Sequence, residues 1–584
     1  MATFPCLGPP ACHRLLLVLL ITCLCHVTQG ARVLLLPFPD TSQCRQLVSI
    51  GRELQSRGHQ VILFVPDYFR VRRCTEPAPH TGNKADVEIR TFDTLEETAE
   101  AVESKLDRLG YEVMGGGTGL LGGSSTARAA FKEICRSFMD AKDDLDKLRR
   151  GGRVDVVLLD GSPYAHCLAL LPAYIGSPFV AVSSYIRPYD SATPLPTSYY
   201  PAPLSGLTAN LGFLQRLSNF FSYAADAGGD LWGGFNQGND LGPKISRLED
   251  DQLIKKALLY LENSDHVVDY PKATFPNFVQ VGGVTAGPAG PLPGPLGQFF
   301  DEAGEGGVVV VSLGPHVFTP NKNLEDKLIT AFRKQEARVL MRLNASRVWR
   351  RVKNVQTVSW FPQNDALGHP ATKLFVSHCG KNSFFEALHH GVPILCCHFA
   401  GSDTLGTGLR VAEFGIGMSI DLLSATPDSL KTAVTNLLTD KSFSRRAKAA
   451  SRLFHSRQGS PAHRAASAVE HVLKFGGGYL RPRAIDMSFF QYAGLDIALV
   501  LFSFVLGVAG LLCLLVSKQL SSAPKEEKGE KEKEKKVKVS KTPVPEANNT
   551  PVKKPAVTSE ESTRSSRIIM TSVFGLVILF YIFV

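Results

Sequence analysis

The chain has 584 residues, of which 44 % are hydrophobic and 20 % charged, with a formal net charge of +10. It is too long for one hydrophobic core and too apolar for a disordered chain, so a folded protein of more than one domain is expected. The basic excess does not point to a nucleic acid: Lys and Arg are scattered along most of the chain and bunched only near its C-terminus, where anionic lipid headgroups account for them.

Residues 1–30 read as a secretory signal, with Arg14 ahead of an apolar run over 15–24 and the small residues Thr28 and Gly30 at cleavage positions. The mature chain then starts near Ala31 and faces an oxidising lumen. Of the 12 cysteines, four lie in the signal and Cys513 in a later apolar run. The remaining seven have irregular spacing, which predicts no disulfide framework and at least one unpaired thiol, and no CxxC pair suggests a metal site.

Residues 33–36 form a short buried strand, the following residues carry helical spacing up to Gly58, and 60–65 form another strand, which is the unit of a parallel sheet. Gly117, Gly119 and Gly122 spell GxGxxG, but no strand precedes them, so a flexible loop is expected. Residues 282–297, GGVTAGPAGPLPGPLG, are too rich in Gly and Pro for an element interior and mark a domain boundary. Beyond it, 308–313, 374–377 and 392–397 are apolar strands, with a helix ending at Gly391 between the last two. Asn344 heads an Asn-Ala-Ser sequon.

Residues 497–516 carry no charge and are long enough to cross about 30 Å of hydrocarbon. The lysine-rich stretch that follows places its own side in the cytosol and the large N-terminal part in the lumen. Residues 568–584, entered past Arg564 and Arg567, read as a second, shorter membrane segment. The expected class is α/β: two parallel-sheet domains with a cleft at the strand C-terminal ends. That alone names no chemistry.

Chemistry enters with residues 360–386, WFPQNDALGHPATKLFVSHCGKNSFFE. The indole of Trp360 offers a flat face to a base, worth about 1–3 kcal/mol, and Gln363 can bond the base edge. Ser377, His378, Cys379, Gly380, Lys381, Asn382 and Ser383 lie where a strand turns into a helix, so exposed N–H groups can hold a diphosphate. Ser383 and Glu386 also have the S-x-x-E spacing of a capping box, a purely structural alternative.

With DVVLLD ending at Asp160, HVVDYPKATFPNFVQVGGV, VVVSLG and YLRPRAIDMSFFQYAGLD, this segment resembles the UDP-glycosyltransferase family, close to the UDP-glucuronosyltransferases. The resemblance covers most of the chain. It implies a GT-B fold of two facing Rossmann-like domains, an acceptor-binding one over 31–280 and a UDP-sugar-binding one over 298–485. It further implies a UDP site built from Ser312, Gly314, Trp360, Gln363, His378, Gly380, Asn382, Ser383 and Glu386, with His378 on phosphate and Glu386 on ribose hydroxyls. UDP-sugar is then a co-substrate, no cofactor is needed, and transfer is inverting, to a lipophilic small molecule, by a reticulum-membrane protein.

The chain departs from that family at the base. A histidine held by an aspartate is usual there, but the loop after the first strand is DTSQC and Gln43 takes the histidine's position. A glutamine orients a hydroxyl and cannot accept its proton, and general-base assistance is worth about 10²- to 10⁴-fold. Asp160 matches the supporting aspartate. On the sugar side, the usual Asp-Gln pair is replaced by Gly401 and Ser402, with Asp403 one place later, and the S-x-G-S loop becomes Ser312, Leu313, Gly314, Pro315. Three readings follow: a transferase for acidic acceptors such as phenols or carboxylic acids, a transferase in which His316 or Asp403 replaces a lost function, and a pseudoenzyme. The last would bind UDP or a lipophile, or pair with itself or with active relatives.

Overall fold

The computed structural model describes residues 30–69, 72–75, 87–102, 104–105, 125–194, 196–202, 205–227, 253–314, 321–343, 349, 352–398 and 404–522. The signal segment, the GxGxxG stretch, Pro315, His316, Asn344, the trio Gly401, Ser402 and Asp403, and the 568–584 segment lie outside them.

Residues up to Asp486 form one unit containing two parallel sheets. The first has strands β1 (Arg32–Leu36), β2 (Gln60–Pro66), β3 (Glu88–Phe92), β4 (Val156–Asp160), β5 (Phe179–Ser183), β6 (Tyr260–Glu262) and β7 (Phe278–Gln280), in the spatial order 3-2-1-4-5-6-7. The second has β8 (Val308–Ser312), β9 (Arg338–Arg342), β10 (Val355–Val358), β11 (Thr372–Ser377), β12 (Ile394–His398) and β13 (Gly417–Asp421), ordered 10-9-8-11-12-13. Every pairing is parallel.

The apolar runs predict these central strands because a parallel sheet is covered on both faces and needs hydrophobic side chains on both. In β1, Val33 and Leu35 join one core while Leu34 and Leu36 join the other. Seven helices matter for the site and its support: α1 (Thr41–Ser56), α2 (Ser125–Asp140), α3 (Gln363–Gly368), α4 (Lys381–His390), α5 (Thr404–Glu413), α6 (Lys441–His455) and α7 (Pro461–Phe475). The helix expected before Gly391 is α4, and Gly391 ends it in the left-handed region at φ +68°.

Helix α7 follows the second sheet in sequence yet packs on the first. Ala465, Ala466, Val469 and Val472 share a core with Leu47 and Leu54 of α1, and Arg57 reaches Glu470 at 2.6 Å. The C-terminal end of the second lobe therefore straps onto the first.

The prediction of no disulfide framework is overturned. Six of the seven cysteines between residues 44 and 397 pair, as Cys44–Cys74, Cys135–Cys167 and Cys379–Cys396. Each pair brings Cα atoms within 5.3–5.9 Å, a proximity created by packing rather than sequence spacing. α2 delivers Cys135 to Cys167, and the turn before α4 delivers Cys379 to β12. Cys397 is the leftover thiol, buried and with its pKa pushed up to about 12 by burial.

The second unit begins at Met487 and contains α8 (Leu495–Ser521). Among the described residues α8 is the one helix long and apolar enough to cross a membrane. Its bounds enclose the run read from the sequence.

Candidate active site

Both sheets reverse strand order at one point, between β1 and β4 in the first and between β8 and β11 in the second. Ligands of doubly wound sheets bind beyond the strand C-termini at such points. Gln43, Asp160, Ser312, Gly314 and His378 lie at or just beyond the C-terminal ends of these four strands, so the fold gathers the predicted residues at the ends of the two sheets.

On the first lobe, Asp40 caps α1 by accepting from the N–H groups of Ser42 at 2.7 Å and Gln43 at 3.2 Å. This fixes Gln43 in the first turn, 5 % exposed. Its Nε2 donates to Ser162 Oγ and to Tyr164 Oη, both at 3.3 Å. Asp160 is fully buried, and its Oδ1 accepts from Ser162 N at 2.9 Å and Ser162 Oγ at 2.6 Å. Ser162 thus stands between the two residues read as the catalytic pair. Burial raises the Asp160 carboxyl to about 7, the Ser162 bonds oppose the rise, and the Asp40 charge adds to it.

On the second lobe, the turn before α4 is tightly built. Cys379 sits at φ +63°, its N–H donates to Ser377 Oγ at 3.1 Å, and its sulfur is tied to β12. The imidazole of His378 lies between two glycines: a Cβ on Gly314 would come within 2.9 Å of Nε2 and one on Gly380 within 2.5 Å. Only a bare backbone fits on either side of that ring. Ser312, at the end of β8, is buried beside it.

Trp360 is 45 % exposed, which is unusual for an indole with no docking role and leaves a face available for stacking. Gln363, opening α3, donates to Glu386 Oε2 at 2.6 Å and to Ser383 Oγ at 3.0 Å. Gly380 is the N-cap of α4 and no side chain caps that end, so the capping-box alternative for Ser383 and Glu386 does not hold. Glu386 is only 3 % exposed; burial raises its pKa, with Arg45 and Gln363 pulling it back.

Asn382 behaves differently from the rest of its group. Its Nδ2 donates to the Ser42 carbonyl at 3.0 Å and to Ser42 Oγ at 2.9 Å, and its Oδ1 accepts from Gln46 at 3.1 Å and Asn263 at 2.9 Å. Both halves of the amide are spent bridging the lobes. The neighbouring Lys381 is paired with Asp269.

Between these sheet ends lies a pocket of about 190 Å³. Gln43, Ser162 and Ser183 from the first lobe line it together with Cys379 and Lys381 from the second and tyrosines such as Tyr200 and Tyr270. Its charges are internally paired: Lys272 meets Glu262 at 2.7 Å with both side chains buried. Sequence reading did not single out Ser162, Ser183, Tyr164 and Lys272, which reach the pocket from the segment after β4, from the end of β5 and from the segment after β6. The run Gly161, Ser162 after the strand that ends in Asp160 was the available signal for the first of them.

A family model described as UDP-glucoronosyl and UDP-glucosyl transferase matches residues 31–528. The UDP-glucuronosyltransferase 2C1 of Oryctolagus cuniculus is 29 % identical over 508 residues, covering 84 % of this chain and 99 % of that protein. The UDP-glucuronosyltransferase 1A1 of Homo sapiens is 28 % identical over 497 residues, 83 % of this chain and 90 % of the relative. Among solved structures, the glycotransferase of kitacinnamycin aligns with TM-score 0.52 at 19 % identity over 76 % of this chain and 99 % of its own. Os79 from O. sativa in complex with UDP aligns with TM-score 0.51 at 17 % identity over 77 % and 100 %. These structures share the GT-B fold.

Proposed function

The chain belongs to the UDP-glucuronosyl and UDP-glucosyl transferase family, and from that premise we propose that it is a membrane-anchored transferase. It moves a hexosyl or glucuronosyl group from a UDP-sugar, with inversion, to a lipophilic small-molecule acceptor. The observation that carries this reading is a pocket lined both by Gln43 and Ser162 of the first lobe and by Cys379 and Lys381 beside the His378 turn of the second. α8 would hold the two lobes on the lumenal face of the reticulum membrane, where apolar acceptors concentrate. UDP-sugar is the co-substrate and no cofactor enters.

The test is UDP release by the purified full-length protein in lipid nanodiscs, with UDP-glucose, UDP-glucuronic acid and UDP-N-acetylglucosamine against phenols, carboxylic acids and alcohols. UDP binding without release across the panel would favour the competing reading, a pseudoenzyme, for which Gln43 is the specific observation.

Two expected outcomes belong to this reading. Trp360→Ala removes the stacking face and weakens UDP about 5- to 150-fold by calorimetry, the equivalent of about 1–3 kcal/mol, whereas Trp360→Phe keeps most of the affinity. Gln43→His places an imidazole against Ser162 and raises kcat with alcohol acceptors about 10- to 100-fold. An unaltered kcat for every alcohol would show that proton removal by a histidine is not what limits turnover.

A further inference from the structure

Asp160 is a carboxylate with no hydrogen-bonded basic side chain among the described residues, at the head of a short hydroxyl chain. Its Oδ1 receives Ser162 Oγ at 2.6 Å, and its Oδ2 has no hydrogen-bond partner among the described residues. Ser162 Oγ is also 2.7 Å from Ser183 Oγ and accepts from Gln43 Nε2 at 3.3 Å. An amide N–H only donates, so Gln43 fills one lone pair of Ser162 and the serine proton is left to point at Asp160. Ser183 then serves as donor to Ser162. Ser162 and Ser183 line the pocket, whereas Asp160 does not.

We propose that Ser183 and Ser162 form the proton relay of the reaction, Ser183 Oγ receiving the acceptor's proton while passing its own to Ser162 Oγ, and Ser162 passing its own to Asp160 Oδ1, in place of a histidine base. This rests on the transferase reading. The acceptor oxygen attacks the anomeric carbon of the sugar as its O–H bond breaks to Ser183, whose remaining lone pair is open to the pocket. The bond from that carbon to the UDP phosphate oxygen breaks with its electron pair going to UDP. The net proton ends on Asp160 and returns to solvent after product leaves, so atoms and charge balance. Gln43 is a positioning residue, holding the serine hydroxyl in the productive orientation.

The groups facing Asp160 are consistent with a base that works near neutrality. Asp40 is spent capping α1 and only adds negative charge. His166 lies against Asp190, with Nε2 to Oδ2 at 3.3 Å, and lowers the Asp160 pKa slightly. Tyr164 is held neutral, its pKa pushed well up by burial and then by Asp160. Above about 7, Asp160 is a carboxylate and accepts; below it the relay is blocked.

The experiment measures kcat/KM of the full-length protein with acceptors graded in acidity from an alkyl alcohol to 4-nitrophenol. Ser162→Ala should lose about 100-fold with the alcohol and progressively less as the acceptor becomes more acidic. Ser162→Thr, which keeps the hydroxyl, should recover most of the loss. The wild-type profile should rise with pH through a midpoint near 7, a limb that disappears in Asp160→Asn. That profile and the acidity slope of the wild type need no variant, so a poorly folded Ser162→Ala protein does not spoil the test. An equal loss with every acceptor, or a flat wild-type profile between pH 6 and 8, overturns the relay while leaving the transferase reading intact. A wild type that releases no UDP with any donor overturns that reading and the relay with it.

Discussion

Asp190→Ala is expected to destabilise the first lobe by about 3–5 kcal/mol, because it strands a buried guanidinium. Arg187 and Asp190 follow β5 and are 2 % and 1 % exposed. Arg187 Nε meets Oδ2 at 2.9 Å and Nη2 meets Oδ1 at 2.8 Å, a two-point grip of the kind that makes such pairs specific. The Tyr260 hydroxyl donates to the Asp190 carbonyl at 2.8 Å, tying the same turn to the next strand. Burial alone would raise the carboxyl pKa, but the Arg187 charge and then His166 outweigh it and hold the group well below the usual carboxylate range. The depressed folded value fixes the sign: the stabilisation is complete above the unfolded pKa of about 4 and fades as pH falls below it. In thermal unfolding the variant should melt roughly 10 °C below wild type at pH 7, and the gap should narrow in acid. The double variant Arg187→Met with Asp190→Leu should recover much of the loss, since it removes both charges together. A single variant melting within 2 °C of wild type would show that the pair holds nothing. Tyr185 and Pro188, on either side of Arg187, line the pocket, so the pair also holds part of its lining in place.

The cluster proposed for the donor was legible as a pattern in the sequence because it is local. Trp360, Gln363, His378, Ser383 and Glu386 fall within one stretch of the second sheet, where strand, turn and helix follow each other in the chain. On the first lobe Gln43 and Asp160 were singled out in the sequence, but Ser162, Ser183 and Lys272 were not, because these residues meet Gln43 around the pocket only through the order of strands in the first sheet. The same reason hid the disulfides: Cys135 and Cys167 become neighbours when α2 packs on the sheet. Helix α7 was not singled out in the sequence, and its place on the first lobe depends on packing between segments far apart in the chain. Asn382 was read by its company in the turn before α4, yet its amide is taken up by Ser42, Gln46 and Asn263 from the facing lobe. That contact depends on how the lobes meet, which no local pattern encodes.

Glu386→Ala should weaken UDP by about 10²- to 10³-fold, roughly 3–4 kcal/mol, with UDP release falling in parallel. The magnitude follows from what the carboxylate would do. Hydrogen bonds to a charged group are worth about 1.5–3 kcal/mol each, and a ribose offers two adjacent hydroxyls. Gln363 already orients the group through its bond to Oε2, and burial keeps water from competing. Glu386→Gln retains shape without charge and should lose about tenfold. Because burial raises the Glu386 pKa, wild-type UDP affinity should decline with acidification at a pH above the ordinary glutamate range, whereas the Gln variant should not follow. Gln363→Ala combined with Glu386→Ala should cost little beyond Glu386→Ala alone, since the two side chains act as one unit. Calorimetry showing wild-type UDP affinity in Glu386→Ala would reduce this carboxylate to a partner of Gln363 and remove the ribose contact from the site.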